Sequence, residues 1–409
     1  MTSLLPATAL EPRALAAATA LADQLADPAA IQAGATRRRG QSLAGGAAGI
    51  ALLHLERAHT GHGDPAIARA WLRAAAREPV SAGNNASLYF GVPTLAFVVH
   101  AAHWPGPLAD TLVRLDAATI AITRRRLDAA YIRLASGRRP PLAEFDLIRG
   151  LAGLGRYHLH RGHPITTNIL TYLVHLTKPR DGDEQPGWWT DLDPSGAPRD
   201  DYPDGHGNAG MSHGIAAPLA LLALAHLHDI HVDGQLDAID RICTWLDSHQ
   251  RPGPAWPGIV TTHTHTHTQA PGRTRGRLRP SWCYGTPGIA RAYQLAALAT
   301  GDPIRRRTAE TAMLACLHDP DQLDQLTDIG LCHGLAGLVH TTSRIAADAA
   351  TPDLADAIPP IVDRLLDRVL TAPSDPELLD GLAGVALALH ATATHTAPAT
   401  SWDTTFLLA

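Results

Sequence analysis

Cys283 and Cys332 occupy the same place in two successive internal repeats. Cys283 stands two residues before Gly285 in Trp282-Cys283-Tyr284-Gly285-Thr286-Pro287-Gly288. Cys332 stands two before Gly334 in Leu331-Cys332-His333-Gly334-Leu335-Ala336-Gly337. The cysteines are 49 residues apart, and so are the glycines (332 − 283 and 334 − 285). If the repeats are structurally equivalent, both sulfurs reach the same end of one architecture, with His333 beside one of them. Two thiolates and an imidazole with a fourth position open form the ligand set of a reactive zinc site.

Other reactive side chains hold related places. One residue before the repeat glycines stand His213, Tyr284, His333 and Asp380; Asp146 lies four before Gly150, and Arg279 four before Cys283. Together they would give one cavity a metal set, a second histidine, a phenol, two carboxylates and a guanidinium. Each has a plainer reading. His213 alone suits a helix cap or a core hydrogen bond, and Asp146, Arg279 and Asp380 suit structural ion pairs. Cys243 and Cys316 fall inside helical stretches and read as small hydrophobes.

The elements that must position these groups recur seven times. A Gly-x-x-small pattern followed by an apolar run begins at Gly46, Gly91, Gly150, Gly214, Gly285, Gly334 and Gly381. Its fourth positions are Gly49, Thr94, Gly153, Ala217, Gly288, Gly337 and Gly384, and the copy at Gly91 is the most degenerate. The intervals of 45, 59, 64, 71, 49 and 47 residues each hold two helices and their loops. Runs such as Ile215 to Leu224 are apolar all round and predict buried helices. Segments such as Leu236 to Leu246 alternate faces and suit an outer layer. Seven buried helices alternating with seven outer ones predict an all-α fold, a seven-fold, double-layered α/α toroid. The alternative is a set of unrelated glycine caps, which would leave the matching cysteines to coincidence.

Composition narrows the class. The chain has 409 residues, 45% of them hydrophobic but only 5% aromatic, so alanine and leucine must fill the core. A net charge of −5 gives no reason to expect nucleic acid or an anionic membrane as partner. Four cysteines are too few for a disulfide framework and point to reduced thiols in a cytoplasm. No run approaches the ~18 apolar residues of a spanning helix. Met1 to Pro6 does not begin a signal peptide, and an amphipathic helix is expected over Arg13 to Gln24. Two long irregular stretches interrupt the pattern: Asp181 to Asn208, carrying Trp188-Trp189, and Arg251 to Pro280. The second holds the alternating run Thr262 to Thr268, a biased, solvated loop or a weak metal binder.

The ordered set Ser212-His213-Gly214, Trp282-Cys283-Tyr284-Gly285 and Cys332-His333-Gly334 resembles the lanthionine synthetase C family, the lantibiotic cyclases. The resemblance covers nearly the whole chain, because the seven glycine-marked copies match that family's seven-fold barrel. It implies Cys283, Cys332 and His333 as ligands of one Zn2+. It also implies His213, Asp146, Arg279 and Tyr284 as catalytic residues, Asp146 and Arg279 on shorter context than the rest. The implied reaction adds a peptide cysteine thiol to a dehydroalanine or dehydrobutyrine of the same peptide. The implied partners are a dehydrated precursor peptide with its leader, a separate dehydratase and a transporter. A single domain over 1–409 is expected, since the 59-residue step from Gly91 to Gly150 leaves no room for a large inserted domain.

Three rivals stay open on the sequence. The same site would serve addition of a free thiol such as glutathione to dehydrated residues. A non-catalytic peptide-binding toroid would need a fourth zinc ligand, from His206 or the His-Thr run. Prenyl-transferring and glycan-cleaving toroids share the architecture, but want carboxylates where this chain has cysteines.

Overall fold

Each repeat glycine stands at the mouth of a helix. The computed structural model describes residues 10–33, 40–104, 106–180, 182–193, 196–197, 202–251, 253–262, 279–371 and 375–409. Most of the His-Thr run, from His263 on, lies outside them, as does the stretch from Met1 to Pro6. The seven glycine-marked helices are Ala47–His59, Val92–Ala101, Leu151–Arg161, Ala216–Leu227, Thr286–Thr300, Leu335–Ala347 and Leu382–Thr394. Their first turns are largely buried; in Ala216–Leu227, every residue from Ala216 to Ala225 is buried. A helix with no wet face is held between neighbours, which is why its sequence carries no polar stripe.

Seven further helices carry one apolar stripe each. They are Leu10–Gln24, Pro65–Ala75, Pro107–Ala135, Thr166–Leu176, Gln235–Ser248, Pro303–His318 and Ile358–Val369. Ile358–Val369 buries Ile361, Val362, Leu365 and Leu366, a stripe at helical spacing. Two of these helices begin with Asp-Pro: Asp64 accepts from the Ala66 amide at 2.7 Å, and Asp302 from the amides of Ile304 and Arg305 at 2.9 and 3.0 Å. Cys243 and Cys316 are buried in such helices, as small hydrophobes, and burial pushes each thiol up to about 12. Leu10–Gln24 packs on Leu382–Thr394, so the first outer helix pairs with the last buried one.

The chain forms two compact units. The first comprises Met1–Thr119 and Leu326–Asp403; the second comprises Ile120–Gln325 and Thr404–Ala409. In the first, buried helices adjoin in the order Leu335–Ala347, Leu382–Thr394, Ala47–His59, Val92–Ala101. In the second the order is Leu151–Arg161, Ala216–Leu227, Thr286–Thr300. The irregular stretches are packed rather than loose where they are described: Trp188 and Trp189 are buried, and Gly207–Asn208 pairs antiparallel with Ile259–Val260. Among the described residues no helix is long and apolar enough to cross a membrane.

One backbone crossing recurs in the repeats. An ideal Cβ on Gly49, Gly288, Gly337 or Gly384 would lie 1.9–2.2 Å from the carbonyl oxygen of Leu43, Trp282, Leu331 or Leu378 respectively. Each of these oxygens sits six residues earlier in the chain, so the entering turn lies directly on the helix's first turn. Only a glycine lets the backbones come this close. At the degenerate copy Thr94 keeps the same partner by another means, its hydroxyl donating to the Leu88 carbonyl at 2.8 Å. Neighbouring turns are also tied together. The Cys332 amide donates to Leu379, Leu379 to Ala44, and Leu43 to Tyr89; in the second unit Leu147 donates to Ser212 and Ser212 to Cys283, all at 2.9–3.3 Å.

Two outcomes follow for stability. Gly337→Ala must push the first turn off the Leu331 carbonyl and should cost about 2 kcal/mol or more in urea unfolding. Gly83→Ala, whose added methyl meets nothing closer than 3.5 Å, should cost under ~0.5 kcal/mol; equal losses would refute the crossing as a constraint. The second outcome concerns pH. Burial holds His54 and His390 down to about 4, against 6.5 in an unfolded chain. As pH falls through 6.5 the unfolded state takes up protons first, so stability should drop between pH 6.5 and 4. The urea midpoint at pH 7 and pH 5 checks this, and His390→Gln should shrink the difference.

Candidate metal centre

Cys283, Cys332 and His333 bring one ligand atom each to within 4.8 Å of one another. Tetrahedral zinc with Zn–S near 2.3 Å and Zn–N near 2.0 Å separates its ligand atoms by roughly 3.4–3.8 Å. Side-chain adjustments of about an ångström close that difference, and two soft thiols with one imidazole are donors zinc prefers. The donor set therefore fits the ion the sequence implied. Cys283 is buried, while Cys332 and His333 are half-buried, so the group is reachable from outside. His206 does not join it: it is buried elsewhere, and burial lowers its pKa against the opposing effect of the Leu192 backbone and Asp193.

The surroundings hold these three side chains in place. The Trp282 indole donates to the Phe406 carbonyl at 3.1 Å, and Arg291 donates twice to the Leu408 carbonyl. The C-terminal segment thus pins the residue next to Cys283. The Cys283 sulfur lies 3.6 Å from the Ser281 hydroxyl. His333 stands between two carboxylates, its Nδ1 3.4 Å from Asp380 and its Nε2 3.6 Å from Asp328. Whichever nitrogen ligates a metal, the other retains a carboxylate to fix its tautomer and raise its basicity.

Asp146 and His213 form a second, tighter arrangement. Asp146 is fully buried at the turn leading into Leu151–Arg161. One oxygen accepts from the Arg149 and Gly150 amides at 2.6 and 2.7 Å; the other meets His213 Nδ1 at 2.6 Å. A carboxylate so placed accepts from the Nδ1–H, so Nε2 is the ring nitrogen left to face other groups. The half-buried Arg126 donates to the Arg149 carbonyl; burial lowers its pKa, and the Asp146 carboxylate opposes that effect.

Tyr284 lies beside His213, ring centroids 6.3 Å apart. Burial raises its phenol pKa, partly offset by side-chain hydrogen bonds with Asn208 and Ser212, so it stays protonated at neutral pH. The Cys283 carbonyl accepts from both the amide and the hydroxyl of Ser212, at 3.3 and 3.4 Å. Gly210 makes this possible: a Cβ there would meet that carbonyl at 2.5 Å. The His213 turn and the Cys283-Tyr284 turn are therefore one stitched unit.

Of the residues singled out in the sequence, the structure brings Cys283, Cys332 and His333 together, and separately Asp146, His213 and Tyr284. Asp380 joins the first set through His333. Arg279 is exposed, and it is its carbonyl that packs against Gly285 and accepts from Ser281 at 2.9 Å. Sequence reasoning missed Asp328, Asn208, Ser281 and Arg126. A signal existed for two of them: Asn208 and Asp328 stand six residues before Gly214 and Gly334, the place Arg279 holds before Gly285. Arg126 sits on a long outer helix, and nothing in its local sequence distinguishes it.

These features can be set beside known proteins. The chain is 26% identical over 212 residues to the nisin biosynthesis protein NisC of Lactococcus lactis subsp. lactis, a match covering 50% of this chain and 49% of NisC. The chain thus spans about half the length of the curated relative it matches. The solved structure of a nisin cyclase superposes with a TM-score of 0.77 at 19% identity, covering 96% of each chain. That likeness carries the fold: the all-α, double-layered toroid read from the repeats. The family described as lanthionine synthetase C-like protein matches residues 38–407, and the chain belongs to it.

Proposed function

We propose that the chain is a zinc-dependent lanthipeptide cyclase, a single catalytic domain over 1–409 with no large inserted domain. The observation that carries this is the convergence of Cys283, Cys332 and His333 within 4.8 Å. The family, the likeness to nisin cyclase and the Asp146–His213 pair support the same reading. The interval from Gly91 to Gly150 is filled by the helices Pro107–Ala135 and Leu142–Phe145, which agrees with a missing insertion. The substrate is a dehydrated precursor peptide with its leader. A separate dehydratase and a transporter act with the chain in a cytoplasm.

Cys283, Cys332 and His333 would hold the ion. Bound there, zinc would acidify the thiol of a substrate cysteine and favour its thiolate. Two protein thiolates and one neutral imidazole would offset the ion's charge, so a substrate thiolate would remain nucleophilic. His213, its Nδ1–H held by Asp146, accepts the thiol proton at Nε2. The sulfur forms a bond to the β-carbon of the dehydrated residue, and the alkene electrons move onto the adjacent amide oxygen. Tyr284, kept protonated by burial, donates to that oxygen, with Arg279 as a further donor. Protonated His213 returns the proton to the α-carbon, so the product has the mass of its substrate. Asp146 orients His213 and stabilises its charged form.

Two experiments test the assignment. Alanine in place of Cys332 or His333 should abolish both zinc content and ring closure, the latter read by thiol capping and mass spectrometry. Ring formation at the wild-type rate without metal would refute the mechanism. His213→Asn should keep zinc and slow closure by about a hundredfold or more. Asp146→Asn should likewise keep zinc and slow the reaction. An unchanged rate in both would return this pair to a structural role.

A further inference from the structure

Beside Tyr284, the ribbon of Gly207–Asn208 and Ile259–Val260 places the buried side-chain amide of Asn208. Its Oδ1 accepts from the Gly210 amide at 2.9 Å, which fixes the orientation of the group and leaves Nδ2 as the outstanding donor. Among the described residues no carbonyl or carboxylate meets that Nδ2, although it is buried. It approaches the phenol of Tyr284 instead. Buried amide donors are rarely left without an acceptor, because their desolvation is then uncompensated. Two glycines bring the groups together. A Cβ on Gly210 would lie 2.9 Å from Cδ1 of Tyr284 and 3.2 Å from Oδ1 of Asn208; one on Gly258 would meet the Tyr284 carbonyl at 2.8 Å. The ribbon also fixes the backbone here: the Ala209 amide donates to the Gly258 carbonyl at 2.9 Å, and the Ile215 amide to the Asn208 carbonyl at 2.8 Å.

We infer that Asn208 is a positioning residue for ring closure: its Nδ2–H donates to the Tyr284 phenol oxygen, so that the Tyr284 proton is aimed at the substrate. A phenol oxygen both accepts and donates. With a donor facing it from the buried side, its own proton turns away, toward the accessible side of the half-buried ring. There it meets the amide oxygen on which negative charge collects as the sulfur adds. A donor held in advance costs no reorganisation at the moment of reaction. Asparagine serves at this place where aspartate would not, because a carboxylate would accept the Tyr284 proton itself. The irregular stretches thereby gain a function, since they meet in the ribbon that holds Asn208. The inference rests on the cyclase reading and deepens it, but uses none of its metal chemistry.

The test begins with NMR of the full chain labelled with 15N-asparagine, whose asparagines are Asn84, Asn85, Asn168 and Asn208. The first three are exposed, so the side-chain NH2 pair shielded from a soluble paramagnetic agent belongs to Asn208. In Tyr284→Phe that pair should move upfield, the direction of a lost hydrogen bond, while the other three stay. An Asn208 pair that stays as well would overturn the inference, whether or not the chain closes rings. Kinetics with a dehydrated peptide, read by thiol capping, supply the second arm. Asn208→Asp should keep zinc content and KM and lower kcat about tenfold or more. In the Tyr284→Phe background the same substitution should change kcat by under about twofold, because the group it acts through is gone. Equal losses in both backgrounds would overturn the inference and leave Asn208 a structural residue. If Asn208→Asp does not fold, the NMR arm decides, since it leaves Asn208 in place. Ring closure absent from the zinc-loaded wild type would fail the cyclase reading itself, an outcome the NMR arm separates from a misplaced Asn208.

Discussion

The architecture depends on a backbone crossing that only small residues allow. In four repeats a carbonyl lies on the glycine six residues ahead, too close for any Cβ. Close packing of this kind is directional, because the carbonyl cannot rotate away without opening the helix start. The residue after each pinned carbonyl is therefore aimed by the crossing. At two of these four positions that residue is cysteine, Cys283 after Trp282 and Cys332 after Leu331. Chemistry has been added to a structural device that other copies use with Ala44 or Leu379 in the same place.

The site is also built by division of labour between exposed and buried groups. Of the residues fit to hold a metal, Cys332 and His333 are partly accessible, and His333 is flanked by the half-exposed carboxylates Asp328 and Asp380. The Asp146–His213 pair is anchored in the interior, where two backbone amides satisfy the oxygen that His213 does not use. A buried carboxylate with both oxygens hydrogen-bonded can tolerate its charge, and its fixed position sets which imidazole nitrogen faces outward. Tyr284 shares its turn with Cys283, so the phenol's position follows from the same stitching by Ser212.

Much of this is legible in the sequence, and the reason is periodicity. Repeated glycines mark the helix starts, and an unbroken apolar run such as Ile215 to Leu224 fits a buried helix. The matched positions of Cys283 and Cys332 make their convergence readable from spacing alone. His213 is readable as a candidate, but its partner Asp146 stands on a short context. Asp146 lies two residues nearer its glycine than Arg279 and Asp328 lie to theirs, which hides how deeply it is buried. Asp328 and Asn208 escape notice because neither belongs to the tripeptides around the glycines. Their roles come from polar contacts across turns, which a linear pattern does not record. Arg126 acts from an outer helix across to the Asp146 turn, a contact set by packing alone.

X-ray absorption at the zinc edge of the purified full chain tests the central claim most directly. Two crossings aiming two cysteines at one point predict a shell of two sulfurs at about 2.3 Å, one imidazole nitrogen, and a light atom. Adding a thiol peptide should replace the light atom by a third sulfur. A shell of four protein ligands that ignores added thiol would contradict an open reactive site. A zinc bound by a single sulfur would contradict the convergence itself.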